Sequence, residues 1–118
     1  MNKDYPVFNK WLSVQDWILD RTDSFPKSVR FSFSDRIANL SLDITEGIIE
    51  AIYSKDRAYI LDKLNLYIEK LRVLFRISFN RKYLSSSQYE FISRELNETG
   101  VMVGGWRKSA HEKNRKPV

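Results

Sequence analysis

The sequence predicts an all-α protein that folds as an up-and-down antiparallel four-helix bundle. In four separate segments, apolar side chains recur every three or four residues, which is the period of an amphipathic helix. The connections between these segments are short, and short connections favour antiparallel neighbours. A chain of 118 residues is long enough to build one hydrophobic core, and this one contains no cysteine for disulfides.

The first helix is predicted to begin at Asp4 or Pro6 and to end at Ser24. An aspartate can cap free backbone N–H groups, and proline is tolerated in the first turn of a helix. The segment Phe25-Pro26-Lys27 ends the helix, because the residue before a proline is pushed out of the helical region. The predicted inner face consists of Phe8, Trp11, Leu12, Ile18 and Leu19, with Val7 and Val14 at one edge.

The second helix is predicted to follow an extended connection through Arg30, to begin at a cap formed by Ser32 or Ser34, and to end near Tyr53. Its core stripe is Ile37, Leu40, Ile44, Ile48 and Ala51. A separate apolar set on another face comprises Ala38, Leu42, Ile49 and Tyr53. Its exposed side is acidic, with Asp35, Asp43, Glu46 and Glu50.

The third helix, over residues 58–81, carries two apolar stripes. The core stripe is Leu61, Leu64, Ile68, Leu71 and Phe75, and the stripe on the opposite side is Tyr59, Leu66, Val73 and Ile77. One stripe is enough for one core, so the second stripe predicts contact with another copy of the chain. A well-filled monomeric core is the alternative.

The predicted oligomer interface therefore combines outward-facing apolar residues from three helices. It comprises Tyr59, Leu66, Val73 and Ile77 of the third helix, Leu42 and Ile49 of the second, and Trp17 of the first. For Trp17 two interpretations remain open, because a tryptophan outside the core stripe either covers a neighbouring helix or contacts another subunit.

The fourth helix is predicted to begin at a capping box formed by Ser87 and Glu90. Its inward residues are Tyr89, Ile92, Leu96, Val103 and Trp106. Gly100 and Gly104 stand one turn apart, which indicates either close approach of another backbone or, at Gly104-Gly105, a frayed helix end. The bundle is predicted to span residues 1–107, and residues 108–118 are predicted to form a basic, disordered tail.

The charge distribution makes nucleic acid a candidate partner. The net charge is +5, but residues 107–118 hold five basic and one acidic side chain, so the rest of the chain is nearly neutral. Basic residues at helix edges and ends could contact phosphates: Lys63, Lys70, Arg72, Arg76, Arg81, Lys82, Arg107 and Lys108. The competing interpretation is an oligomer that binds only protein.

Catalytic and metal sites are not expected. The single histidine, His111, lies in the predicted tail, and a di-metal bundle would need Glu-x-x-His motifs that this sequence lacks. No glycine-rich phosphate loop is present, so we expect no enzyme activity, no metal and no cofactor. No apolar run approaches the roughly 20 residues that cross a bilayer, and the absence of cysteine fits the cytoplasm.

Several short segments, in order and spacing, resemble Avd, the accessory variability determinant family of diversity-generating retroelements. They are Phe25-Pro26-Lys27 through Arg30-Phe31, Glu46-Gly47, Leu71-Arg72-Val73-Leu74-Phe75-Arg76, Leu84-Ser85-Ser86-Ser87-Gln88-Tyr89, and Gly100-Val101-Met102-Val103-Gly104-Gly105-Trp106. The chain is also similar to four-helix-bundle proteins encoded in ribosomal-RNA intervening sequences, which form pentamers. The paired arginines and the Gly-Gly-Trp segment favour Avd.

The Avd resemblance implies a four-helix bundle that assembles into a barrel-like homopentamer with a basic surface. It also implies a partnership with the element's reverse transcriptase, in a complex that makes error-prone cDNA from a template-repeat RNA. By the same resemblance, Arg72 and Arg76 match arginines of the family's third helix, where positive charge is implicated in contact with the polymerase or the nucleic acid.

Overall fold

The computed structural model describes residues 5–115 and confirms the predicted four-helix bundle. The helices are α1 (Pro6–Asp23), α2 (Asp35–Tyr53), α3 (Ala58–Asn80) and α4 (Ser86–Arg115). Each helix packs against its neighbour along the chain, and α4 also packs against α1. The start of α1 near Asp4 lies outside the described residues. No helix in the described part of the chain combines the length and the apolar character needed to cross a bilayer.

The predicted core stripes of α2 and α3 are confirmed, whereas that of α1 is partly wrong. On α3, Leu61, Leu64 and Leu71 are fully buried. On α1 the buried apolar residues are Val7, Phe8, Trp11, Val14 and Ile18, whereas Leu12 is 40% exposed and Leu19 is only partly buried. Leu12 follows Trp11 by one residue and is therefore turned about 100° away from the core.

A buried polar network fixes how α1 lies against α2. The Trp11 indole N–H donates to the Thr45 hydroxyl at 2.9 Å, and that hydroxyl donates to Gln15 Oε1 at 2.6 Å. The Gln15 amide nitrogen donates in turn to the Ser41 hydroxyl at 2.8 Å. Because a buried amide without partners would be costly, a shift of α1 along α2 that breaks these bonds would destabilise the bundle.

The sequence predicts an extended connection between α1 and α2, and this prediction is wrong. The connection consists of two short helical turns. A 3-10 turn over Lys27–Val29 leads into a π turn over Arg30–Ser34, and no serine side chain caps α2. Extended geometry occurs at Pro26. The compact path lets Phe25 and Phe33 pack against Tyr83, with ring centroids 5.5 and 5.8 Å apart.

The cap of α4 lies two residues earlier than predicted. Ser85 and Gln88, rather than Ser87 and Glu90, form the reciprocal pair: the Ser85 N–H donates to Gln88 Oε1 at 2.9 Å, and the Gln88 N–H donates to Ser85 Oγ at 3.2 Å. Glutamine satisfies the free N–H as well as glutamate does. The motif was recognised correctly, but its register was wrong.

The C-terminal part of α4 differs most from the prediction, because residues predicted as a disordered tail from 108 onward are helical to Arg115. Side chains beyond the predicted end contact α3 and the turn before it. His111 Nε2 lies 2.8 Å from Asp62 Oδ1, and the Asn114 amide donates to Asp56 at 3.4 Å. Ala110 packs against the core. These contacts extend the helix past Gly104 and Gly105, where it neither frays nor approaches another backbone of this chain.

Two glycines give a test of the packing between α2 and α3. A Cβ at Gly47 would lie 2.6 Å from the Cδ2 atom of buried Leu64, whereas a Cβ at Gly105 would meet nothing within 4 Å. We expect Gly105→Ala to raise the free energy of unfolding by up to about 1 kcal/mol, because alanine favours helix. We expect Gly47→Ala to lower it by about 1 kcal/mol, because crowding of about 1–3 kcal/mol outweighs the same gain.

Urea denaturation of both variants beside the unchanged protein measures the difference. An equal gain in stability from the two alanines would contradict the close approach of α2 to α3 at Gly47.

Candidate functional site

The outer face of α3 carries a row of exposed apolar side chains. Leu66 is 52% exposed and Val73 is 56% exposed, and Tyr59 and Ile77 lie on the same face of the helix. The α3 stripe, defined as these four residues, lies opposite the buried stripe of the same helix, as the helical period predicts. No helix within residues 5–115 covers it, and its role as an oligomer interface stays a prediction.

Beside the α3 stripe, a groove of about 670 Å³ runs between α2 and α3. Apolar side chains from Leu40, Leu66, Val73 and Leu74 line it, together with polar and charged groups of Arg36, Asn39, Asp43, Glu69 and Lys70. An apolar area bordered by charged residues is the usual composition of a protein–protein interface. The groove therefore fits a protein partner better than a small polar ligand.

The other residues of the predicted interface divide into two kinds. Leu42 is exposed on α2, and Ile49 is partly buried against the core. Trp17 packs inside the subunit, with its ring 5.1 Å from that of Phe91 and 6.4 Å from that of Phe75. The structure thus supports the interpretation in which Trp17 covers neighbouring helices, because its indole contacts α3 and α4 of its own chain.

Arg72 ties α3 to α4. Its Nη2 donates to the Leu96 carbonyl oxygen at 3.4 Å, and a Cβ at Gly100 would lie 2.9 Å from the same nitrogen. The Glu69 carboxylate lies 3.1 Å from Arg72 Nε, but out of line with the N–H, so this buried nitrogen makes no hydrogen bond. Glycine at position 100 leaves room for the guanidinium, and a Cβ there would require the flexible end of Arg72 to shift, a contact that the sequence alone did not reveal.

Arg76, one turn further along α3, is exposed and has no hydrogen bond or ion pair with the described residues. Across the α3 stripe, Lys63 lies over the Tyr59 ring at 4.8 Å and Lys70 lies over the Tyr67 ring at 5.6 Å. Arg72 and Arg76 therefore follow the α4 side of the stripe, and Lys63 and Lys70 follow its α2 side. The stripe has cations along both edges.

The remaining predicted basic residues lie at the two ends of the bundle. A hydrogen bond with the Tyr83 hydroxyl raises the pKa of Arg81, and Lys82 adopts a left-handed backbone with φ of 66° in the α3–α4 turn. Lys108 is exposed on α4. The eight predicted basic residues thus do not form one patch, because they are distributed along α3, in the α3–α4 turn and in the C-terminal half of α4.

Arg107 is held by an acidic residue of α3. Its Nε donates to Asp62 Oδ1 at 2.6 Å, and His111 contacts the same oxygen. The hydrogen bond from His111, followed by that from Arg107, lowers the pKa of the Asp62 carboxyl below its ordinary value. The charge of Arg107 is therefore largely neutralised within the subunit. The sequence does not indicate this role of Asp62. Arg107 is the last residue of the predicted bundle, and His111 lies in the segment predicted to be disordered.

The comparisons with known proteins agree with the fold. A search among curated proteins found no match to the chain. A family model described as bAvd-like matches residues 7–110, which include α1, α2, α3 and most of α4. This match confirms the resemblance to Avd drawn from the short segments. The chain therefore belongs to the bAvd-like family.

Proposed function

We propose that this protein is the accessory subunit of a diversity-generating retroelement: a non-enzymatic homo-oligomer that binds the element's reverse transcriptase and its RNA or DNA. The observation that carries the proposal is the family match over residues 7–110. In this role the protein supports mutagenic cDNA synthesis by holding the polymerase and the template together. The chemistry of synthesis belongs to the polymerase.

Assembly is supported by the apolar surface that one subunit leaves open. Tyr59, Leu66, Val73 and Ile77 are all exposed on α3, and Leu42 is exposed on α2. Burying apolar surface stabilises an interface by roughly 25 cal/mol for each Å² removed from water. A ring of identical subunits needs two different faces that fit each other. The α3 stripe and the apolar face of α2 offer such a pair, which suits the barrel-like pentamer of the Avd resemblance.

Contact with nucleic acid is supported by the cations beside the α3 stripe. Among the described residues Arg76 has no hydrogen bond or ion pair, and Lys63 and Lys70 lie over tyrosine rings without an ion pair. Such side chains can neutralise phosphates, and a symmetric ring repeats each of them in every subunit. Repetition compensates for the nearly neutral body of one subunit, because several weak contacts on one strand act together.

We expect Arg76→Glu to weaken binding of a mixed-sequence single-stranded RNA by about tenfold, because each subunit of the ring loses one phosphate contact and gains a repulsive charge. Binding should also weaken steeply as salt is raised. Lys27→Glu makes the same change in charge at an exposed position in the connection between α1 and α2. Fluorescence anisotropy of labelled RNA across a salt series compares the two variants.

Arg76 is a better position for this test than Arg72, because Arg72→Glu would also remove the tie between α3 and α4. Equal losses from Arg76→Glu and Lys27→Glu would show that total charge, and not the edge of α3, determines RNA binding. Co-purification with the reverse transcriptase of the same element tests the protein partner separately.

The alternative is a structural or protein-binding oligomer of the ribosomal-RNA intervening-sequence type. The pairing of Arg107 with Asp62 favours it, because a cation neutralised inside the subunit is a poor phosphate contact. An oligomer that retains no RNA even at low salt, and that does not bind the reverse transcriptase, would be this second kind of protein.

A further inference from the structure

A pocket of about 200 Å³ lies at the end of the bundle where the α2–α3 turn meets the last turns of α4. It exists because α4 continues past residue 108, which brings the C-terminal side chains over that turn. The residues that give it its chemistry are Lys55, Arg57, Trp106, Ser109, Lys113 and Asn114. Three of them are cations, and none of the lining residues in the described part of the chain is a carboxylate.

Arg57 is held in place by groups that leave its charge uncompensated. Its Nη2 donates to the Ser54 carbonyl oxygen at 3.0 Å, and its Nη1 donates to the Tyr5 hydroxyl at 3.4 Å. The guanidinium carbon lies 5.5 Å from the centre of the Trp106 ring. None of these partners is an anion, and a guanidinium has five N–H donors, so further donors remain for a ligand.

Asp56 and Asp62 lie near this pocket but do not line it. Asp56 accepts a hydrogen bond from the Asn114 amide at 3.4 Å and does not line the pocket. Asp62 is occupied by Arg107 and His111. Within the described part of the chain, Lys55 and Lys113 have no ion pair. The pocket therefore combines a pre-positioned arginine with two exposed lysines, so its lining carries three positive charges.

We propose that this end pocket binds a backbone phosphate of a single-stranded nucleic acid, a site that rests on the function proposed above and adds a position to it. Arg57 and the lysines match the charge of a phosphodiester, and the Ser109 hydroxyl and Asn114 amide supply neutral donors. The size suits one phosphate with part of its sugar, for which the Trp106 ring offers an apolar wall. The pocket is too small for a duplex.

The double variant Lys55→Gln with Lys113→Gln tests the site while keeping Arg57, whose contacts hold the turn. We expect RNA affinity to fall by about tenfold or more at low salt. The slope of log affinity against log salt should fall by up to about 0.7, because the pocket holds one phosphate and each phosphate neutralised on a single strand contributes about 0.7. The control is Lys27→Gln with Arg94→Gln, which removes two exposed charges outside the pocket.

A second readout is the indole N–H resonance of Trp106 during titration with single-stranded RNA, with buried Trp11 as the internal reference. We expect the Trp106 signal to move in the unchanged protein and to stay in place in the pocket variant. Equal affinity losses in the pocket and control variants would overturn the pocket while leaving the proposed function intact. Absence of RNA binding by the unchanged protein would overturn both the pocket and the nucleic-acid part of that function.

Discussion

Replacing Val73 by aspartate is expected to convert the oligomer into single chains of 14.0 kDa. Val73 lies in the α3 stripe and is 56% exposed in the isolated subunit, so an aspartate there remains solvated and leaves the bundle folded. In an assembly the same carboxylate would be buried against apolar side chains, at a cost of several kcal/mol in each interface. Because each 1.4 kcal/mol is a factor of about ten, this cost lowers the association constant by orders of magnitude.

Val101→Asp is the control for this change. Val101 is also exposed, at 69%, but it lies on α4, away from the α3 stripe, so its replacement should leave the oligomer intact. Light scattering after size-exclusion chromatography gives the mass of both variants, and circular dichroism verifies that both stay helical. An unchanged mass for Val73→Asp would show that α3 does not form the interface.

Replacing Trp11 by alanine is expected to lower the free energy of unfolding by about 3–5 kcal/mol. Trp11 is 1% exposed, and its indole N–H bonds the Thr45 hydroxyl, which also serves Gln15. The substitution therefore opens a large cavity and removes one donor from a buried polar network. Since small domains are stable by roughly 5–15 kcal/mol, this single change brings the bundle close to unfolding.

Trp11→Phe keeps most of the ring volume and removes the indole N–H, so we expect a smaller loss of about 1–2 kcal/mol. Urea denaturation at one fixed protein concentration measures both variants, because assembly adds a concentration-dependent term to stability. Equal losses from phenylalanine and alanine would show that the hydrogen-bond network, and not the packing of the ring, accounts for the stability at this position.

The helices and their core faces could be predicted from the sequence because they follow from a local period. The residues of each α3 stripe are spaced by three, four or seven positions, and this spacing places them on one face of a helix whatever surrounds it. Leu64 is accordingly buried and Leu66 is exposed. The register of a cap is also local, but several serines in a row leave it undetermined. Ser85 is the capping residue because it and Gln88 each bond the other's backbone N–H.

The candidate sites depended on contacts between residues far apart in the chain, which no local pattern reveals. Asp62 meets Arg107, and Arg57 lies beside Trp106, only because α3 and α4 run antiparallel and α4 is longer than its composition suggested. The same contacts explain the error at the C-terminus. The C-terminal part of α4 has few apolar residues and is held by side chains that bond to α3 and to the turn before it. Hydrophobic periodicity cannot reveal such bonds.

The molar mass of the unchanged protein in dilute solution tests most directly whether copies of the chain cover the α3 stripe of one another. We expect a single species of several times 14.0 kDa, in which the segment around Leu66 and Val73 is protected from hydrogen exchange. A stable, helical single chain of 14.0 kDa would contradict this expectation, if the segment showed no more protection from exchange than its own helix provides.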